Sequence, residues 1–273
     1  MDTIVLQSYR TVDVPAWMRA CLESVRGWAR HHGWEHAFMD DAFFALAPGW
    51  ARQRCRGNPY ALADICRLIW LQDKLAAGHA RAIWADADML VFAPERLAIR
   101  EGIGHGFARE LFLRVNRDGT TTPVPGINNA LMVFERDDAM LRHYLDACYQ
   151  ALRRLPPGPV PRTALGPALL DRLAQGHHLT TLDGIGLFSL ALMQDVAHGD
   201  GTHAREYLRH SPTPPAAANL CHFLRDATPV ADRPRFDLIY AGAVDRLLRT
   251  RDLRAASEPA GGDASCTAQP NRP

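Results

Sequence analysis

Over its first ninety residues the chain alternates short apolar runs with stretches of helical spacing, and few architectures accommodate that rhythm. Thr3, Ile4, Val5 and Leu6 read as a strand. Trp17, Met18, Cys21, Leu22, Val25, Trp28 and Ala29 recur at three- and four-residue intervals, as one face of a helix does. Pro15 suits the first turn of that helix and Gly33 a left-handed stop, after which Trp34 to Met39 reads as a second strand. Asn58 as cap, with Pro59 behind it, opens another helix whose Leu62, Ile65, Leu68, Ile69 and Leu75 share a face and which ends at Gly78. Ala82-Ile83-Trp84-Ala85 then reads as a short buried strand whose end releases Asp86-Ala87-Asp88. Strands alternating with helices in this way predict an α/β fold with a mostly parallel sheet.

Beyond residue 100 the pattern loosens. Phe107 to Val115 and Asn129 to Phe134 read as two strands joined by a polar turn at Asp118-Gly119, an antiparallel insertion beside the sheet. Leu141 to Leu155 is helical and is ended by Pro156-Pro157-Gly158-Pro159. A further helix is expected over Leu165 to Leu173, whereas 176–218 is rich in Gly, His and Pro and carries no clear period. The expected organisation is one domain over 1–251 and a disordered tail over 252–273, where large apolar groups become too few to offset the entropy of ordering.

Composition excludes several function classes. With 31 basic and 30 acidic residues the formal charge is +1, so no global field draws nucleic acid to the chain, and any anion must be met locally. The six cysteines are widely spaced, which favours reduced thiols in a cytoplasm over a disulfide framework. No signal-peptide pattern opens the chain, and no window approaches the ~20 apolar residues that span a bilayer. The loop Gln7-Ser8-Tyr9-Arg10 lacks the glycines of a dinucleotide site, and neither a nucleophile elbow nor a P-loop occurs.

The chemistry concentrates at Asp86 and Asp88. Two carboxylates at the carboxyl end of a buried strand stand where open α/β sheets bind their ligands. Hard cations such as Mn²⁺ or Mg²⁺ prefer oxygen ligands, so these acids and a diphosphate could share one ion, which would stabilise the charge on a departing phosphate. The plain alternative is a pair of solvated loop acids. Asp64 and Arg67 bear on that choice. They lie three apart on the helix that precedes the strand, and the early turns of a helix running back across a sheet lie near the strand's carboxyl end. Arg67 offers forked donors to phosphate or sugar hydroxyls, and Asp64 would accept from hydroxyls or orient Arg67; otherwise the two are an ordinary surface ion pair.

Ala63-Asp64-Ile65-Cys66-Arg67 followed by Trp84-Ala85-Asp86-Ala87-Asp88 resembles the D-x-x-R and D-x-D block of GT-A glycosyltransferases, most closely family 32 and the capsular-polysaccharide type. Ile4 to Gln7, Gly126-Ile127-Asn128-Asn129-Ala130 and Leu165-Gly166-Pro167 fit the same pattern. The resemblance implies a GT-A-like, Rossmann-related α/β fold: a mostly parallel mixed sheet flanked by helices, with a small antiparallel insertion. It implies a UDP- or GDP-sugar donor touched by Asp64 and Arg67, with Asp86 on ribose or sugar hydroxyls and Asp88 most directly on the metal. It also implies a glycan or lipid-linked acceptor and a retained anomeric configuration. Asn219-Leu220-Cys221-His222-Phe223 resembles the histidine-bearing strand that closes such sites, which makes His222 the expected third metal ligand; the other reading is a histidine hydrogen-bonded to backbone. Gln7 and Ser8 follow the first strand, where a nucleobase or ribose would lie, and read equally as turn residues. Asn128 and Asn129 suit sugar hydroxyls and also suit turns.

An inverting enzyme would need a carboxylate base near the acceptor, for which Glu110, Asp137 and Asp183 are available and not placed by the sequence. Two rival functions are a haloacid-dehalogenase-like phosphatase, in which the first Asp of D-x-D is a nucleophile, and a nucleotide-sugar-binding protein without turnover. The expected location is cytoplasmic, with peripheral association at the inner membrane face compatible with a lipid-linked acceptor.

Overall fold

The computed structural model describes residues 1–258. Its first half contains β1 (Thr3–Ser8), α1 (Ala16–His31), β2 (Glu35–Met39), a 3-10 turn (Asp41–Leu46), α2 (Gly49–Arg54), α3 (Pro59–Ala76), β3 (Arg81–Ala85), β4 (Met89–Val91), β5 (His105–Val115) and β6 (Thr121–Glu135). The second half contains α4 (Met140–Arg154), α5 (Pro167–Leu173), β7 (Thr181–Leu182), β8 (Ile185–Leu187), α6 (Leu190–His198), α7 (Thr202–His210), β9 (Ala217–Asn219), α8 (Phe223–Ala227), a 3-10 turn (Val230–Asp232), α9 (Arg233–Thr250) and α10 (Leu253–Ser257).

These strands form one sheet in the order β2-β1-β3-β6-β5-β8-β9-β4, with β7 also paired to β5. Five pairings are parallel, namely β1 with β2, β1 with β3, and β5 with β7, β5 with β8, β8 with β9. Three are antiparallel: β3 with β6, β5 with β6, and β4 with β9. The expected α/β class, a mostly parallel mixed sheet with helices on both faces, is what forms. One core lies between the sheet and α1, α6 and α9, where Trp17 and Trp28 are buried; the other lies under α3 and α4, around Phe43, Leu71 and Tyr144.

The strand–helix–strand units arise locally. Asn58 accepts hydrogen bonds from the amides of Tyr60 and Ala61 at 3.1 and 3.3 Å and so caps α3. Gly33 and Gly78 end α1 and α3 at φ +69° and +122°, where a side chain would be strained. β4 follows β3 after only Asp86-Ala87-Asp88, yet it sits at the far end of the strand order. The sheet therefore curls until its last strand returns to the end of β3, and the acidic turn closes that curl.

Three expectations change. The antiparallel pair does not lie beside the sheet: the second half of β6 pairs with β3 in its centre, from Arg81 opposite Glu135 to Ala85 opposite Leu131. The stretch 176–218 folds into short elements, two to nine residues each, too brief to show a period. The expected tail does not begin at 252: Asp252 caps α10 through the amides of Arg254 and Ala255, and Leu253 and Ala256 are buried against α6, α7 and α9. Alanine buries little area but lets helices approach closely, so a poor-looking composition still packs. The rest of the expected tail, 259–273, lies outside the described residues.

Candidate active site

β1 and β3 run parallel, so their carboxyl ends share an edge, and the start of α3 lies over it. Arg67, buried on α3, reaches that edge and joins the two halves of the motif. Its Nη1 stands 3.0 Å from Asp86 Oδ1 and donates to the carbonyl of Asn129 at 3.0 Å, while Nη2 stands 3.3 Å from Asp64 Oδ1. The guanidinium lies 5.2 Å from the centre of the Trp84 ring, and the indole N–H of Trp84 donates to Asp86 Oδ1 at 2.6 Å. Asn129 Nδ2 donates to Asp64 Oδ1 at 2.8 Å. One oxygen of Asp86 is thus fixed by two donors, and no donor among the described residues reaches the other.

Asn129 gets there through an irregularity in β6. The β5–β6 register shifts between Phe107, opposite Met132, and Ala108, opposite Asn128, which leaves 129–131 bulged. Such a bulge re-aims side chains, and here it turns Asn129 toward α3. A Cβ on Gly166 would stand 3.0 Å from Asn129 Oδ1 and 3.4 Å from Asp64 Oδ2, so the start of α5 closes over the same network. Tyr144 completes it, donating to the carbonyl of Leu165 at 2.8 Å and standing 3.3 Å from Asn129 Nδ2.

Asp88 lies at the other end of the turn, where its Oδ2 accepts from the amide of His222 at 2.6 Å and its carbonyl from Leu220 at 3.0 Å. Burial, and then the neighbouring Asp86, push its carboxyl up to about 7. Burial raises Asp64 to about 6 against the pull of Arg67 and Asn129, and it raises Asp86 as well. Among the described residues, buried Asp64 and Asp88 and half-buried Asp86 lie around one guanidinium, a local excess of carboxylate that a hard divalent cation could neutralise, although the three do not gather ligand atoms within 4.8 Å of one another. The donor set, carboxylate oxygens alone, is of the type such a cation prefers.

His222 does not follow the expected placement. It lies beyond β9 and opens α8, its Nε2 is 2.9 Å from the Tyr9 hydroxyl, and its Nδ1 is 3.6 Å from Asp226 Oδ2. Both ring nitrogens thus have protein neighbours, and the ligand atoms of Asp86, Asp88 and His222 do not gather within 4.8 Å as those of Asp2, Glu35 and His79 do. That second group lies at the opposite edge of the sheet, around the amino ends of β1, β2 and β3.

The remaining expected residues divide. Gln7 is buried and bonded at both ends of its amide: Nε2 donates to the carbonyl of Asp86 at 3.3 Å, and Oε1 meets His36 Nε2 at 3.1 Å. It supports the acidic turn from behind. Ser8, half-buried at the end of β1, stands at the same edge. Asn128 accepts from the amide of Ala130 at 2.8 Å and donates to Glu110.

Sequence reasoning missed Tyr9 and two arginines. The Arg10 guanidinium lies 5.3 Å from the Tyr9 ring with its Nε buried and unpartnered, and Arg162 lies 3.8 Å from the Phe223 ring. Neither forms an ion pair among the described residues. The signal was available for Arg10, two residues beyond the first strand; nothing local marks Arg162.

The overall arrangement is similar to that of a glycosyltransferase involved in glycosylation of the major capsid of PBCV-1, at 12% identity over 87% of this chain and 98% of that one, with a TM-score of 0.47. Mouse xyloside xylosyltransferase 1 is similar at 13% identity over 84% and 100% of the two chains, TM-score 0.46. The galactosyltransferase LgtC, in complex with donor and acceptor sugar analogs, is similar at 13% identity over 88% and 95%, TM-score 0.45. No protein-family model matches the sequence, and no curated protein does.

Proposed function

We propose that this chain is a metal-dependent glycosyltransferase that takes a sugar from a UDP- or GDP-sugar and passes it to a glycan or lipid-linked acceptor. The observation that carries the reading is the surplus of carboxylate at the carboxyl edge of β3, where buried Asp64 and Asp88 and half-buried Asp86 share Arg67 as the one neighbouring guanidinium among the described residues. Mn²⁺ or Mg²⁺ held there would supply Lewis-acid stabilisation of the departing diphosphate. Asp86 and Asp88 are the ligands on which the proposal rests, and His222 joins them only by exchanging its bond to Tyr9. Arg67 fixes the orientation of Asp86. Gln7 buttresses the turn, and Ser8, Asn128 and Asn129 line the donor side. Arg10 and Arg162, without carboxylate partners among the described residues, supply charge for phosphate. The resemblance to family 32 supports retention of anomeric configuration and a role in polysaccharide synthesis, and the widely spaced cysteines support a cytoplasmic location. No helix among the described residues is long and apolar enough to cross a membrane.

A phosphatase with Asp86 as nucleophile is disfavoured, because Asp64 and Arg67, joined to Asp86 in one network, have no task in that chemistry. The test is a panel of nucleotide-sugars with Mn²⁺, read first by thermal shift and then by release of nucleoside diphosphate. Stabilisation by one donor class with metal-dependent release is expected, and a binding protein without turnover would show the shift alone. Absence of both overturns the reading.

A further inference from the structure

The structure separates the three acids that the sequence could not place. Asp137 follows β6, and because β6 runs antiparallel to β3 its carboxyl end is the edge opposite Asp86. Asp183 is exposed and paired with Arg109 at 2.6 Å. Glu110 is different. It is half-buried on β5, no cation pairs with it among the described residues, and its one side-chain donor is Asn128 Nδ2, at Oε2.

The opposite strand leaves room for this carboxylate. Gly126 faces Glu110 across the β5–β6 pair, and a Cβ there would stand 3.1 Å from Oε1. From Glu110 a short chain of bonds leads to the acidic turn: Asn128 holds Glu110, Asn128 Oδ1 accepts from the amide of Ala130 at 2.8 Å, and the Ala130 carbonyl accepts from the amide of Asp86 at 2.7 Å. Burial raises the Glu110 carboxyl, and Asp171 of α5 adds to the rise. A desolvated carboxylate without a counter-charge is costly to keep, and a tie to Asn128 alone would be served as well by an amide.

We propose that Glu110 Oε1 accepts a hydrogen bond from a hydroxyl of an uncharged glycan acceptor and orients it toward the sugar held at Asp86 and Asp88. The proposal rests on the glycosyl-transfer reading above. Two neighbouring acids, Glu110 and Asp171, favour a neutral sugar over a uronic or sialic acid, whose carboxylate would meet like charge.

The test uses full-length protein, Mn²⁺ and whichever of UDP-glucose, UDP-galactose or GDP-mannose stabilises it most. Release of nucleoside diphosphate is followed in water alone and with methyl glucoside, methyl galactoside or methyl glucuronide added. A neutral glycoside should accelerate release by the wild type. In Glu110→Gln the KM for that glycoside should rise by roughly tenfold or more, the scale of one hydrogen bond to a charged group. The ratio of transfer to hydrolysis should fall with it, while affinity for UDP or GDP is unchanged. Glu110→Asp keeps the charge but not the reach, and raises the same KM should the amide variant fail to fold. The proposal is overturned by an unchanged acceptor KM, by equal loss of hydrolysis and transfer, by preference for the glucuronide, or by wild-type release that no neutral glycoside accelerates. Absence of any release from the three donors points instead to failure of the glycosyl-transfer reading itself.

Discussion

Arg67 is the residue on which the charge balance of the site turns. Its guanidinium separates Asp64 from Asp86 and stacks near Trp84, and its side chain is only 8% exposed. Arg67→Ala leaves buried Asp64 and half-buried Asp86 without their counter-charge, and a loss of about 3–5 kcal/mol is expected in urea unfolding. Arg67→Lys keeps the charge but cannot reproduce the fork, so it should fall between the two. A change below ~1 kcal/mol in the alanine variant would mean that the pairing is no stronger than a surface one. Asp88 gives a pH prediction. Its folded pKa, about 7, lies above that of an unfolded aspartate, so the folded chain keeps a proton that the unfolded chain has released. In EDTA the stability from this group is fully present below about pH 4 and is lost as pH rises to about 7. Metal competes with that proton, so Mn²⁺ affinity should increase over the same range, and melting curves with and without Mn²⁺ from pH 5 to 8 would show both trends. A metal effect independent of pH would contradict them.

At the scale of elements, α3 and the bulge in β6 position the charged residues. Asn58 both caps α3 and donates to the carbonyl of Val160 at 2.7 Å, so Asn58→Ala should cost about 1–2 kcal/mol and loosen the helix that presents Arg67. Gly166→Ala places a methyl against Asn129, where it should reduce donor affinity before it reduces stability, measured by titration with UDP and GDP. The two elements differ in how far the sequence reveals them. α3 was legible because its cap, its proline and its apolar face are all local. The bulge was not, since register is set by which strands pair and Asn128-Asn129 reads as a turn from neighbours alone. The strand reading of His222 fails for the same reason: the chain leaves β9 at Asn219, and Cys221 takes φ +54° before the ring meets Tyr9, a residue 213 positions away.

Across the whole molecule, the curl of the sheet brings together what the sequence separates. β4 leaves β3 at the acidic turn, pairs with β9, and so sets Asp88 against the His222 backbone from the far end of the strand order. The α/β class and the convergence of Asp64, Arg67 and Asp86 were readable, because a strand–helix–strand unit fixes which edge each end occupies. The place of Glu110, the partners of His222 and the packing of α10 depend on contacts between distant segments, and no local pattern encodes them. The central claim is that the acids at the end of β3 bind a divalent cation together with a nucleoside diphosphate. Calorimetric titration of UDP and GDP into wild type and Asp88→Asn, in Mn²⁺ and in EDTA, tests it most directly. At least one nucleotide should bind the wild type tenfold or more tightly with Mn²⁺, and the variant should keep its fold and lose that gain. Equal affinity in EDTA, or a variant that keeps the full Mn²⁺ gain, would contradict it.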